Sequence, residues 1–349
     1  MARARLVLVT VVMLQLSLFL LYTLSKKTQK NSGIYQDVTD EFMRLGLGEK
    51  GGSELLRYAK ASATLKAPVM ASGLELNTDT IKSAMPCGGS STFLLVLVAS
   101  PPKNHHIRSV VRLSWGAVKS HKGYTIKVLF YMGKPRNSSQ QRELMSESIS
   151  HNDIFQSEVA DDRLTLKTLA AFQWAGSECA VARFVLKVDD DVFVNVRNVS
   201  DEVKLYRGYG MNANPAYRNK GNKWYISHEA YKNATYPPYN LGFAVLFSMK
   251  VVKEIHDASF KAPGYFQVKR NFPFEDVFIG MCAKYLGIVP KFVYDRFFRD
   301  PAPFYNAVKG DQCRYLTAIA AHAVDLDLFY YYMKASENVR HSSKCLQPT

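Results

Sequence analysis

Three consecutive carboxylates, Asp189, Asp190 and Asp191, interrupt an apolar stretch. Phe184-Val185-Leu186-Lys187-Val188 precedes them and Val192-Phe193-Val194-Asn195 follows. Like charges inside an apolar run are costly unless something neutralises them. In an extended chain alternate residues share a side, so Asp189 and Asp191 face one way and Asp190 the other. Two carboxylates on one face at the end of a buried strand suit a hard divalent cation. A solvated acidic turn is the competing reading, and the β-branched apolar flanks weigh against it. A second acidic pair, Glu275-Asp276, precedes Val277-Phe278-Ile279-Gly280. It opens what reads as a helix, where the helix dipole favours negative charge. Beside the first site, it also reads as the source of a general base opposite a metal-holding turn.

The elements that must carry these residues follow from the patterning. Phe93–Ala99 is a fully apolar run, which predicts a buried parallel strand. Thr125–Tyr131 is a second strand, Ile154-Phe155 a short one, and Phe184–Val188 the strand leading to the carboxylates. Between them, His106–Lys119, Arg136–Ser150 and Leu164–Ala182 read as helices. Strands alternating with helices imply right-handed crossovers and a mainly parallel sheet, hence an α/β fold. Beyond Val199 the chain is richer in aromatics and loops. Phe243–Phe247 reads as a further strand, and Phe274–Leu286 runs from a loop into a helix.

A chain of 349 residues has ample material for a core. The formal net charge of +15 admits anionic partners. No Lys/Arg-rich block stands out, so nucleic acid is not favoured. The five cysteines include no Cys-x-x-Cys pair, which argues against structural zinc and for an oxidising compartment. Their odd number leaves at least one free or paired between chains, and a homo-oligomer is left open.

Leu6–Leu24 is free of charge and rich in Leu and Val. Its length of about 19 residues suits a membrane-spanning anchor. A cleaved signal peptide is the rival, but Thr23-Leu24-Ser25-Lys26 is a poor cleavage site. The basic residues flanking the span nearly balance, so they do not orient it. The sequons at Asn137, Asn198 and Asn233 place the larger part in the secretory lumen. The expected organisation is a cytosolic tail at 1–5, a signal-anchor at 6–24, an extended stem at 25–88 and a lumenal catalytic domain at 89–349.

Six segments, in order, resemble the β-1,3-galactosyltransferase family of Golgi glycosyltransferases (glycosyltransferase family 31). They are Arg108-Ser-Val-Val-Arg112-Leu-Ser-Trp115-Gly116, Leu164-Thr-Leu-Lys167-Thr168, and Lys187-Val-Asp189-Asp190-Asp191-Val-Phe193-Val-Asn195. After these come Lys223-Trp224-Tyr225 with Tyr236-Pro237, then Glu275-Asp276-Val277-Phe278-Ile279-Gly280, and last Cys313-Arg314-Tyr315 with His322 and Cys345. The resemblance runs from about residue 93 to residue 345.

The resemblance implies a GT-A type nucleotide-sugar-binding fold, Mn²⁺, and UDP-galactose or UDP-N-acetylglucosamine as donor. The implied reaction is an inverting transfer that builds a β-1,3 linkage on a glycan of a glycoprotein or glycolipid. It implies Asp191 as a direct metal ligand and Asp189 as a metal or ribose contact, with Asp190 and Lys167 on the donor side. His322 either completes the metal site or is a structural histidine. Asp276 is the implied catalytic base, and Glu275 and Trp224 lie on the acceptor side. Arg108 and Arg112 either counter the diphosphate charge or pair with an acid beneath the sheet. The implied location is the Golgi membrane, single-pass type II.

The chain also departs from the family's pattern. Asn240 stands where the family carries a cysteine, which removes the usual disulfide partner of Cys282. Cys313 and Cys345 are then the expected pair. Leu241–Val245 is bulkier than the family's stretch, and Val159, Asp161 and Arg163 replace an Asp-x-Tyr-x-Asn pattern. A galactosyltransferase is the leading expectation. An N-acetylglucosaminyltransferase and an inactive glycan-binding relative are the alternatives.

Overall fold

The computed structural model describes residues 92–199, 206–261, 272–300 and 311–322, with residues 81, 87, 329, 332, 336 and 345. The expected tail and anchor lie outside the described residues, as does most of the expected stem. Among the described residues no helix is long and apolar enough to cross a membrane.

The apolar run at the start of the domain forms β1 (Thr92–Ala99), and Leu94–Val98 are essentially inaccessible to solvent. Helix α1 (His105–Leu113) returns the chain to the short β2 (Ser120–His121) and to β3 (Tyr124–Lys134). Helix α2 (Ser138–His151) leads to β4 (Ile154–Ala160), and α3 (Leu164–Glu178) leads to β5 (Phe184–Asp189). β1 pairs in parallel with both β3 and β5, and β3 with β4. That is the pattern helical crossovers impose.

The second half departs from it. β6 (Val192–Val194) leaves the main sheet, and β7 (Tyr206–Met211) is followed by β8 (Tyr239–Ser248). β8 runs antiparallel to β5 and β7, so the eight-stranded sheet is mixed, ordered β2-β3-β1-β5-β8-β7-β9 with β4 beside β3. Its last strand is β9 (Lys291–Phe292). β10 (Phe297–Phe298) and β11 (Ala320–His322) form a small second sheet with β6.

Helix α4 (Met249–Lys261), helix α5 (Glu275–Tyr285) and α3 pack against one another over one face of the main sheet. Leu95, Leu97, Phe172, Val185, Phe247, Ile255 and Phe278 share that core. Alternation places Leu94, Val96 and Val98 on the opposite face, and they too are buried.

Two expectations are corrected. The first helix ends at Leu113 instead of Lys119, because the chain folds back over it. A Cβ on Gly116 would stand 2.6 Å from the Val111 carbonyl oxygen. The domain also begins before residue 89. Ile81 is buried, its carbonyl accepts from the Gln156 N–H on the edge strand β4 and its N–H donates to the Gln156 side-chain Oε1, and Cys87 is disulfide-bonded to Cys179 at the end of α3. Cys313 and Cys345 are joined as expected. Cys282 carries a free buried thiol, which an interchain bond could not reach.

Candidate active site

Asp189 ends β5, Asp190 and Asp191 make the turn, and β6 starts at Val192. The turn sends the three carboxylates in three directions. Asp191 is exposed and meets His322, whose Nε2 lies 3.0 Å from its Oδ2. The β6–β11 pairing causes this, since His322 sits opposite Val192 in the antiparallel register. His322 Nδ1 lies 3.1 Å from the Arg299 carbonyl oxygen. An Nδ1–H donated there leaves Nε2 as the ligating nitrogen. The hydrogen bond to Asp191, opposed by burial, raises the His322 pKa above the usual histidine value.

Asp190 turns inward. Its Oδ2 accepts from Ser100 Oγ at 2.7 Å and from Asn104 Nδ2 at 2.9 Å. Burial pushes its pKa up, against the opposing effect of those two bonds. Asp190 therefore pins the acidic turn to the end of β1 and the start of α1.

Asp189 faces a buried cation. Lys187, two residues earlier on β5, places Nζ 2.9 Å from Asp189 Oδ1, 2.6 Å from the Gly242 carbonyl oxygen and 3.3 Å from Glu275 Oε1. Burial opposes the ammonium charge. Asp189 and then Glu275 more than offset it, so the pKa is held well above the usual lysine value.

The second acidic pair reaches this point through α5. Gly280 lets the helix approach β8, because a Cβ there would stand 2.6 Å from Tyr239 Cβ and 3.0 Å from the Pro238 carbonyl oxygen. One turn earlier, Asp276 Oδ2 accepts from the Gly242 N–H at 3.3 Å, and Oδ1 from the Val277 N–H at 2.8 Å. Burial raises the Asp276 pKa, although both backbone donors act against it. Glu275 is pushed to about 7 by burial, with Lys187 opposing. The aromatic edge beside the pair is Trp224, exposed, with its ring 5.8 Å from that of Phe274.

No set of three or more His, Cys, Asp or Glu side chains able to hold a metal is found among the described residues. Asp191 and His322 supply one carboxylate and one imidazole. That donor set fits a divalent ion whose remaining positions are filled by phosphate oxygens and water.

The galactosyltransferase family model matches residues 106–292, a span that contains the acidic turn, Gly242 and the Glu275-Asp276 pair. The chain belongs to the galactosyltransferase family. Mouse β-1,3-galactosyltransferase 4 is 32% identical over 286 residues, covering 70% of this chain and 73% of the mouse protein. Human lactosylceramide 1,3-N-acetyl-β-D-glucosaminyltransferase is 32% identical over 222 residues, covering 59% of this chain and 57% of its own. The crystal structure of a glycosyltransferase involved in the glycosylation of the major capsid of PBCV-1 aligns with 13% identity and a TM-score of 0.34. That alignment covers 72% of this chain and 100% of the viral one. A score that low carries no argument about fold. The family and its relatives make this galactosyltransferase-family chain a glycosyltransferase.

Several residues expected at the site of this family member stand elsewhere. Arg108 is fully buried, and its guanidinium donates to Glu147 and to the Pro101 and Pro102 carbonyls. Arg112 forks onto Asp153 and also reaches Glu147. Neither is available to a diphosphate, so pairing with acids beneath the sheet is the reading that fits. Lys167 is almost fully buried and is paired with Asp161 at 3.0 Å, which corrects its placement on the donor side. Glu275 points inward to Lys187 rather than out to an acceptor. Of the sequon asparagines, Asn137 and Asn233 are exposed. Asn198 is not suited to a glycan, because its Nδ2 donates to the Tyr315 and Ala318 carbonyls.

Sequence reasoning gave no role of their own to Lys187, Ser100, Asn104 and Gly242. Lys187 had a signal, since a lone lysine inside a buried apolar strand needs a countercharge. Phe243 of the divergent stretch packs beside His322, with ring centroids 5.9 Å apart. The Asn240 side chain is buried with neither polar atom bonded.

Proposed function

We propose that the chain is an inverting transferase that moves galactose from a UDP-sugar to the 3-hydroxyl of a glycan acceptor, in a β-1,3 linkage. The observation that carries this reading is the separation of roles around Lys187. On one side Asp191 and His322 offer a metal-binding pair, and on the other Asp276 offers a buried carboxylate with raised proton affinity.

Mn²⁺ held by Asp191 and His322 would supply positive charge against the departing diphosphate. Asp189 contacts the donor beside it. Asp276 takes the proton of the acceptor hydroxyl as that oxygen bonds to the anomeric carbon. The bond from that carbon to the diphosphate oxygen breaks, and the diphosphate leaves with the electron pair. The two backbone donors fix the Asp276 carboxylate for this task, and Trp224 offers an apolar platform for the acceptor ring. Domain architecture follows the GT-A type. The protein is anchored in the Golgi membrane through residues 6–24, with the stem and the catalytic domain in the lumen.

An N-acetylglucosaminyl donor is the second reading, favoured by the human relative's own name. An inactive glycan-binding relative is the weaker one, since Asp189, Asp191, Asp276 and His322 are all in place. The test is a screen of nucleotide sugars for Mn²⁺-dependent transfer and hydrolysis by the purified chain. Turnover of UDP-galactose supports the proposal, turnover of UDP-N-acetylglucosamine alone supports the second reading, and binding without turnover supports the third.

A further inference from the structure

Lys187 is the one charged residue of the buried strand segment Phe184–Val188, and its side chain is 2% exposed. An ammonium has three protons to donate and cannot accept. Two go to the Asp189 carboxylate and the Gly242 carbonyl, and Glu275 Oε1 stands 3.3 Å away as an ion-pair partner without hydrogen-bond geometry. These oxygens belong to three separate elements: β5, β8 and the first residue of α5. The residue whose carbonyl Lys187 holds, Gly242, is also the one whose N–H meets Asp276. A Cβ at Gly242 would touch both Asp276 and the lysine Nζ, at 3.5 and 3.6 Å, which shows how closely the three converge.

We infer that Lys187 is a positioning residue that joins the two acidic sites, neutralising Glu275 and Asp189 while fixing Gly242 so that its N–H orients Asp276. The inference names a further residue for the reaction proposed above, and its kinetic arm rests on that reading. Two consequences separate it from a simple ion pair. Removing the ammonium leaves Glu275 buried without a cation, which is strongly destabilising. It also releases the Gly242 peptide, and that loss cannot be repaired by neutralising Glu275. Arginine is no substitute, because a planar guanidinium cannot place one charged nitrogen against all three oxygens at once.

The experiment compares Lys187→Met, Glu275→Gln and the double variant with the unaltered chain. Thermal unfolding, amide hydrogen exchange of the peptide spanning Gly242, and transfer kinetics are read on the same preparations. Lys187→Met should unfold at a lower temperature, and the double variant should recover most of that loss. In the double variant the Gly242 amide should still exchange at least about tenfold faster than in the unaltered chain. Turnover should stay about 100-fold down, with donor KM changed far less. Recovery of turnover and amide protection together with stability would reduce Lys187 to an ion pair and overturn the inference. If the unaltered chain transfers no sugar, the proposed function fails, while the exchange and unfolding data still decide the role of Lys187.

Discussion

His322 Nε2 and Asp191 Oδ2 stand 3.0 Å apart although 131 residues separate them in the chain. The pairing of β6 with β11 makes that contact. Asp191 is exposed and bears no load in the core, so Asp191→Ala should fold normally and lose Mn²⁺-dependent transfer. His322→Ala should lower activity by about 10- to 100-fold at limiting Mn²⁺ and recover in part at excess. Metal titrations of initial rates on both variants check this, and near-normal activity of Asp191→Ala in chelator-treated buffer would remove the metal role.

Asp276→Asn keeps the shape of the side chain and loses the ability to take a proton. It should bind UDP with Mn²⁺ almost as the unaltered chain does, and lose about 10²–10⁴-fold in turnover. Calorimetry and a transfer assay on one preparation decide it. Lost nucleotide binding would make Asp276 a structural residue, and normal turnover would place the base elsewhere.

The buried Arg108–Glu147–Arg112 cluster carries stability rather than chemistry. Burial alone would raise the Glu147 pKa, but the hydrogen bond and charge of Arg108, and then those of Arg112, hold it below the usual glutamate value. A carboxylate with a depressed folded pKa contributes stability that is complete above its unfolded pKa. That contribution is lost as pH falls through the folded value. Glu147→Gln should cost about 3–5 kcal/mol at neutral pH, since it leaves Arg108 buried without its partner. Unfolding curves from neutral pH to below pH 4 should show that the variant has lost part of the acid sensitivity of the unaltered chain.

Protein made in secretory cells should carry glycans at Asn137 and Asn233 and none at Asn198. Both hydrogen bonds from Asn198 Nδ2 close the loop at Tyr315 and Ala318. Site-resolved glycopeptide mapping tests the count. Occupied Asn198 would mean that this loop packs differently, and an unmodified chain would contradict the lumenal orientation.

Non-reducing peptide mapping should recover Cys87 linked to Cys179 and Cys313 linked to Cys345. Cys282 should resist alkylation until the chain unfolds, because it is buried and burial raises its pKa to about 12. A bridge to Cys282 would show a different pairing.

The chemistry-bearing residues were legible because each breaks a local pattern. Three carboxylates end an apolar strand, and an acidic pair opens a helix. The apolar runs of β1 and β5 and the alternation of strands with helices fixed the parallel half of the sheet, since crossover geometry leaves little choice. Gly280 in the second acidic segment records a close helix–strand approach that only a residue without a Cβ permits.

Partnership between distant residues was not legible, because pairing energy depends on which elements meet, and local pattern does not encode that. Arg108 and Arg112 are basic residues on a helix in the sequence. The acids Glu147 and Asp153, contributed by α2 and the segment after it, turned them away from any substrate. The antiparallel β8 brought Gly242 between Lys187 and Asp276. The same carboxylate sequence thus yields a metal-facing Asp191, an inward Asp190 and a lysine-bound Asp189. A tight turn after a buried strand points successive side chains at different neighbours, and tertiary packing alone chose those neighbours.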